Sequence, residues 1–344
     1  MIHNSNFVNL NNLKNTLYIS VLLGMFTFSF FAHAQLSSSL LNVSISPATP
    51  KAHQEVKVSI ESFTFDLRTA QITWILNGKV SQRGEGIKIF TFKTGNLGTE
   101  SSVQVIVITS DGQKLERSFE IRPAEVDLIW ESIAYTPPFY KGKALAASKN
   151  KIKITAIPHF ILASKQRIDP DNLIYTWQKD RRVLGSLSGT GKQSLVIDGP
   201  RLFENARITV LISSLSGTYN AQKEIIIRSV DPEIIFYEKH PTEGIKYEHA
   251  LEQNFTLTQE EITVRAEPYF FSSEDLNSSR VEFTWKLNGN AIENISRVNE
   301  IVLRQEEGGG IAELSLAVEN IAKILQEARK SIFIRFNKQP SLGR

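Results

Sequence analysis

The chain has 344 residues, more than one β-sandwich uses, and length alone allows two or three domains with cores of their own. Lys and Arg total 39 against 36 Asp and Glu, a net charge of +3; so small and diffuse a surplus argues against nucleic acid as a partner, which rewards a concentrated basic face. There is no cysteine, which excludes disulfides, thiolate metal sites, thiol nucleophiles and a lipid-modified N-terminal cysteine.

Residues 1–15 are polar, with Lys14 their only Lys or Arg, and residues 16–31 form an almost unbroken apolar run through Leu22, Leu23, Phe26, Phe28, Phe30 and Phe31. The run ends in Ala32, His33 and Ala34, and small residues at the first and third positions before Gln35 suit a signal peptidase. Residues 1–34 therefore read as a signal peptide cleaved after Ala34. The rival is an uncleaved anchor, because the segment approaches the roughly 20 residues that span a bilayer; a membrane would then meet the protein only there. Either way the expected location is extracytoplasmic. Export without disulfides reads as bacterial, so the sequons at Asn42, Asn254, Asn277 and Asn294 carry little weight.

Three segments then repeat one pattern around Trp74, Trp177 and Trp285: Ile72-Thr73-Trp74, Tyr175-Thr176-Trp177 and Phe283-Thr284-Trp285. Apolar residues alternate into each tryptophan, the period-2 signature of a strand with one buried face. Asn77-Gly78 and Asn288-Gly289 follow in the first and third copies, the strongest short signal for a hairpin turn. Upstream strands recur at Val56-Val58-Ile60, Ile152-Ile154-Ala156 and Ile262-Val264-Ala266, and downstream ones at matching offsets, closing with Phe119-Ile121, Ile225-Ile227 and Ile332-Ile334. The second and third copies also share a leading segment that the first lacks. One segment, residues 321–330, reads as helical, as a short turn between the last two strands.

Short alternating strands with one tryptophan per unit are what a sandwich of two antiparallel sheets requires. On these residues the chain resembles the Ig-like and PKD-like domains of bacterial exported and cell-surface proteins. The expected fold is all-β: three tandem Ig-like sandwiches at residues 41–123, 124–230 and 231–337, with the tryptophans in their cores. The junctions at Arg122-Pro123 and Asp231-Pro232 are short and carry proline, which predicts semi-rigid connections. The cysteine pair of antibody-type domains is absent, so the resemblance carries no binding site with it.

Little chemistry emerges. The six histidines, at 3, 33, 53, 159, 240 and 249, show no metal-ligand spacing. Residues 185–193 look superficially like a phosphate loop, but Gln193 stands where a Ser or Thr must bind magnesium and a strand follows, so a hairpin loop is expected. An Asx residue lies eight positions before each tryptophan. Asp66, Asp169 and Asn277, with Asp171 and Asp275 nearby, are the candidates for calcium, which takes six to eight oxygens; the plainer reading is that Asp and Asn favour turns. Lys141, Lys143, Lys149, Lys151 and Lys153 make a basic run that suits an anionic envelope polymer or, where they alternate with Ile152 and Ile154, a solvated strand face. Trp130, Tyr269, Phe270 and Phe271 offer either a sugar-stacking platform or core.

No cofactor is expected. The reading is a non-enzymatic exported protein of the bacterial cell envelope or surface, whose tandem domains act as a spacer or adhesive module toward an envelope protein or polysaccharide. The alternative is an accessory subunit of a surface assembly such as a pilus or secretion apparatus, using sheet edges for strand addition. A carbohydrate-active protein ranks third, because sequence alone cannot place a pair of carboxylates at the separation that hydrolysis needs.

Overall fold

The computed structural model describes residues 40–293, 295, 297–305, 309–323 and 325–336; the expected signal peptide lies outside them. Seven strands form the first sandwich: β1 (Asn42–Ser46), β2 (Glu55–Glu61), β3 (Gln71–Leu76), β4 (Lys79–Glu85), β5 (Ile89–Lys93), β6 (Ser101–Ile108) and β7 (Lys114–Ile121). They make two sheets, β1-β2-β5 and β4-β3-β6-β7. Alternate residues of both turn inward, so Val56, Val58, Ile72, Trp74, Val103, Val105 and Val107 are fully buried between them.

The second sandwich comprises β8 (Glu125–Ser132), β9 (Lys151–His159), β10 (Leu173–Lys179), β11 (Arg182–Val183), β12 (Gly189–Thr190), β13 (Ser194–Asp198), β14 (Asn205–Ser214) and β15 (Asn220–Arg228). Its sheets are β13-β9-β8 and β11-β10-β14-β15, with β12 also on β10. The third comprises β16 (Glu233–His240), β17 (Gly244–Ala250), β18 (Asn254–Leu257), β19 (Glu261–Tyr269), β20 (Val281–Leu287), β21 (Asn290–Ala291), β22 (Glu300–Arg304), β23 (Gly310–Asn320) and β24 (Glu327–Phe336), with one helical turn, α1 (Ser273–Leu276). Its sheets are β17-β16-β19-β22 and β18-β24-β23-β20-β21. Strand pairings are antiparallel except that of β18 with β24.

Each tryptophan holds its sandwich in the same way. Trp74 and Trp177 are fully buried and Trp285 nearly so. Each indole N–H donates to a backbone carbonyl across the core: Trp74 to Ile87 at 2.9 Å, Trp177 to Lys192 at 2.8 Å and Trp285 to Val298 at 2.8 Å. A buried indole is tolerated only where that donor finds a partner.

The hairpin three residues after each tryptophan also repeats. Asn77, Asp180 and Asn288 have φ of 50°, 50° and 52°, and the residues after them, Gly78, Arg181 and Gly289, have 76°, 68° and 81°. Two consecutive left-handed residues make the two-residue turn that matches strand twist. Each Asx clamps the strand opposite: the backbone N–H of Ser102, Arg207 or Glu313 donates to the side-chain oxygen at 2.9 Å, and the Asx N–H donates back to the same residue at 2.8 Å.

The stretch 321–330 turns between the last two strands as expected, but its described residues form no helix. Residues 321–323 turn, and β24 starts at Glu327, pairing with β23 from Glu319 onward. The run is rich in good helix formers, but Ala328 is buried and its neighbours are exposed, so burial against the sheet outweighs local propensity.

By compactness the chain divides into two units. One runs to Ala124 and includes Phe160–Gln166; the other holds Glu125–His159 and everything from Arg167. The second and third sandwiches thus share one unit, although each keeps its own pair of sheets.

Candidate functional site

The second unit is held by the segment that the second copy has and the first lacks. After β8, residues 133–150 leave their own sheet and run as an irregular strap, kept out of strand and helix by Pro137 and Pro138. The strap lies on the third sandwich. Ala134 bridges Ser272, the Tyr135 N–H donates to the Phe271 carbonyl at 2.7 Å, and the Phe270 N–H donates to the Tyr135 carbonyl at 2.8 Å.

The surface it covers is the outward side of β16 and β19. Ile234, Phe236, Val264 and Ala266 point into the core of the third sandwich, so Tyr237, Glu267 and Tyr269 must point the other way. On an ordinary sandwich that face is wet. Here Tyr237, Tyr269 and Phe270 pack with Ala147 into a second small core, flanked by Leu145, Val230 and Tyr247. Tyr140 of the strap sets its ring edge-on to Tyr269 and Phe270, with centroids 5.5 and 6.1 Å away.

Two buried polar clusters complete the joint. In the first, Glu267 is wholly buried and accepts from the Tyr135 hydroxyl, from the Tyr247 hydroxyl at 3.0 Å and from Arg265 Nε at 2.9 Å. Burial, reinforced by the Glu267 carboxylate, pushes the Tyr247 hydroxyl up to about 12 and raises Tyr135 as well. Arg265 also reaches Glu300, which takes Lys239 besides. Burial alone would raise the Glu300 carboxyl, but its hydrogen bonds from Lys239 and Arg265 bring it below its ordinary value.

The second cluster joins the two sandwiches through amides. Asn150, fully buried, donates to the Phe270 carbonyl at 2.6 Å and accepts from Gln326 Nε2 at 2.8 Å. Gln326 Oε1 accepts from the Ser272 N–H and from Asn320 Nδ2, which also donates to Asp275. Asp275 is buried yet meets Arg280 and Lys323, each at 3.1 Å. Against the upward push of burial, the hydrogen bonds from Asn320, Lys323, Ser272 and Arg280 hold its carboxyl far below the usual range. Every member of the chain from Asn150 to Asp275 has a partner, the condition under which a buried polar network makes a unique, rigid connection.

The calcium candidates are not gathered into a ligand set. Asp66 is paired with Arg68 at 2.9 Å, Asp169 accepts from the Asp171 N–H, Asp275 belongs to the joint, and Asn277 ends α1. No group of three His, Asp or Glu side chains placed to hold a metal occurs among the described residues. Residues 185–193 form a turn and the short strand β12, and Ser188 Oγ accepts from the Trp177 N–H at 2.9 Å. Tyr269, Phe270 and Phe271 are buried and present no open stacking face; Trp130 is half-buried, with Lys143 Nζ 3.3 Å above its ring. Lys151 and Lys153 are exposed between the buried Ile152 and Ile154.

The joint residues Tyr135, Asn150, Glu267 and Gln326 were not singled out from sequence. The one signal was the leading segment shared by the second and third copies, which marked an addition to the sandwich but not where it docks.

No family model and no curated protein matches the chain. Among solved structures it is similar to the three N-terminal domains of the highly immunogenic outer capsid protein of bacteriophage RB49, at 12% identity over 88% of this chain and 99% of that one, with a TM-score of 0.26. It is similar to the central fibronectin-III array of RIM-binding protein, at 11% identity over 87% and 96%, TM-score 0.28. It is also similar to the SGBP-B protein of the Bacteroides ovatus mixed-linkage glucan utilization locus, solved with a heptasaccharide, at 9% identity over 86% and 70%, TM-score 0.21. Likeness of this degree adds nothing to the reading of a site. The paired sheets and their repeated tryptophan and hairpin devices make the chain an all-β protein of tandem Ig-like sandwiches.

Proposed function

We propose that this is an exported, non-catalytic protein of the bacterial envelope or surface, whose Ig-like sandwiches serve as a spacer and adhesive module. The observation that carries the reading is the joint. Its ionisable groups, the buried Glu267 and Asp275 and the half-buried Arg265 and Glu300, are engaged with one another and with neighbouring amides and hydroxyls, an arrangement that fixes one sandwich on the next rather than presenting an acid, base or nucleophile to a substrate. The apolar run before Ala34 and its small-residue ending support export. Expression in a bacterial host, fractionation and N-terminal sequencing test this: an extracytoplasmic product that starts at Gln35 is expected, and a cytoplasmic product that starts at Met1 would refute it.

A further inference from the structure

Each sandwich places one strand at the edge of a sheet, beside the strand upstream of its tryptophan: β5 on β2, β13 on β9 and β22 on β19. An edge strand carries a row of backbone groups without a ladder partner, and such a row pairs with another chain unless something blunts it. In the first sandwich the phase of the ladder identifies these groups. The Ile60 N–H donates to the Lys88 carbonyl at 3.0 Å and the Thr94 N–H to the Gln54 carbonyl at 2.9 Å. In the alternation of an antiparallel pair Phe90 and Phe92 therefore also bond β2, while Ile89, Thr91 and Lys93 turn their N–H and C=O groups outward.

The other two copies blunt the equivalent edge. In the second, Lys179 Nζ donates to the carbonyls of Asp198 and Gly199 at the end of β13, at 2.7 and 3.3 Å. In the third, the Glu300 N–H at the start of β22 is taken by the Arg297 carbonyl at 3.1 Å. The outward groups of Ile89, Thr91 and Lys93 meet no hydrogen-bond partner among the described residues. β5 also has no proline, and its register with β2 is unbroken, whereas β4, at an edge of the other sheet, is guarded by a register shift opposite Trp74 and Ile75. The side chains of Ile89, Thr91 and Lys93 are exposed together on the outer face of the sheet.

We propose that β5 pairs with β5 of a second copy of this chain, antiparallel about a two-fold axis at Thr91, joining the two β1-β2-β5 sheets into one. The free groups set the register. Only an axis at Thr91 engages all three residues: Thr91 faces Thr91 of the copy and Ile89 faces Lys93 on either side, so every outward N–H and C=O finds a partner. The side chains fit the same register. Facing threonines suit a strand pair, and the Lys93 stem lies along the exposed Ile89. Its ammonium stands beside Glu55 of its own chain, the residue that Lys93 faces on β2, and no like charges face each other. A strand complementary to itself is what a two-fold interface requires, which favours a second copy over a strand of another protein. The inference goes beyond the spacer and adhesive reading and does not depend on it.

The test is sedimentation velocity over a concentration series of the purified chain, together with cysteine cross-linking, which is unambiguous because the chain has no cysteine of its own. A concentration-dependent dimer is expected. Thr91→Lys sets like charges opposite each other and should weaken it by about tenfold or more, with the circular dichroism of the fold retained because the side chain is exposed. Thr91→Cys should cross-link on oxidation, since residues so paired lie about 5.5 Å apart between Cα atoms, within the range of a disulfide. Ile89→Cys and Lys93→Cys should each stay unlinked alone and link when mixed, which reads out the register. Val196→Cys, at the equivalent position of the blunted β13, is the control and should not link. A chain that stays monomeric at every concentration, a dimer indifferent to Thr91→Lys, Thr91→Cys that links no faster than Val196→Cys, or its cross-linking in cells to a different protein would overturn the proposal.

Discussion

Asn77, Asp180 and Asn288 show how one side chain fixes a hairpin. Each accepts a left-handed backbone that most residues resist by about 1–2 kcal/mol and bonds the adjoining strand from both its side chain and its N–H. Asp180→Ala removes the clamp and should lower stability by about 1 kcal/mol in urea unfolding. Arg181→Gly should raise it by about 0.5–1 kcal/mol, since glycine suits that φ. Trp177→Ala leaves a core void and an orphaned Lys192 carbonyl, at a cost of about 3–5 kcal/mol. The tryptophans and the Asn-Gly pairs were readable because local sequence alone determines them. Asp180-Arg181 was not recognised as the same turn, because its second residue breaks the glycine rule that makes such turns visible.

At the scale of elements, the strap matters most. Residues 133–150 cover a sheet face that carries the buried Glu267, and the second sandwich supplies Tyr135 as one of its hydrogen-bond donors. Asn150→Ala strips partners from the Phe270 carbonyl and from Gln326, both buried, and should cost about 1–3 kcal/mol. Acid acts on the same joint. The carboxyls of Asp275 and Glu300 lie below their ordinary values in the folded state. Their contribution is therefore complete above the unfolded-state pKa near 4 and is lost as pH falls toward the folded values. The urea midpoint of the second unit should accordingly drop between about pH 5 and pH 3, and Asp275→Asn should flatten that dependence while lowering stability at neutral pH. The strands were legible from their period-2 alternation. The strap was not, because its partners lie more than a hundred residues away and no local pattern encodes a contact between Asn150 and Phe270. Residues 321–330 misled for the opposite reason: Ala, Leu, Gln, Glu and Lys favour a helix locally, yet the stretch turns and, from Glu327, pairs with β23 as strand.

For the whole molecule, the consequence is that three copies of a pattern do not make three equal units. The first sandwich and the pair formed by the second and third are the compact bodies, and the pair is joined by a satisfied polar network that neither sandwich completes alone. Native-state hydrogen exchange on the intact chain tests this most directly. The slowest amides of β14, in the second sandwich, and of β23, in the third, should share one opening free energy, and Asn150→Ala should lower both together. Amides of β23 that keep their protection when β14 opens, or that ignore the Asn150 substitution, would contradict the locked pair.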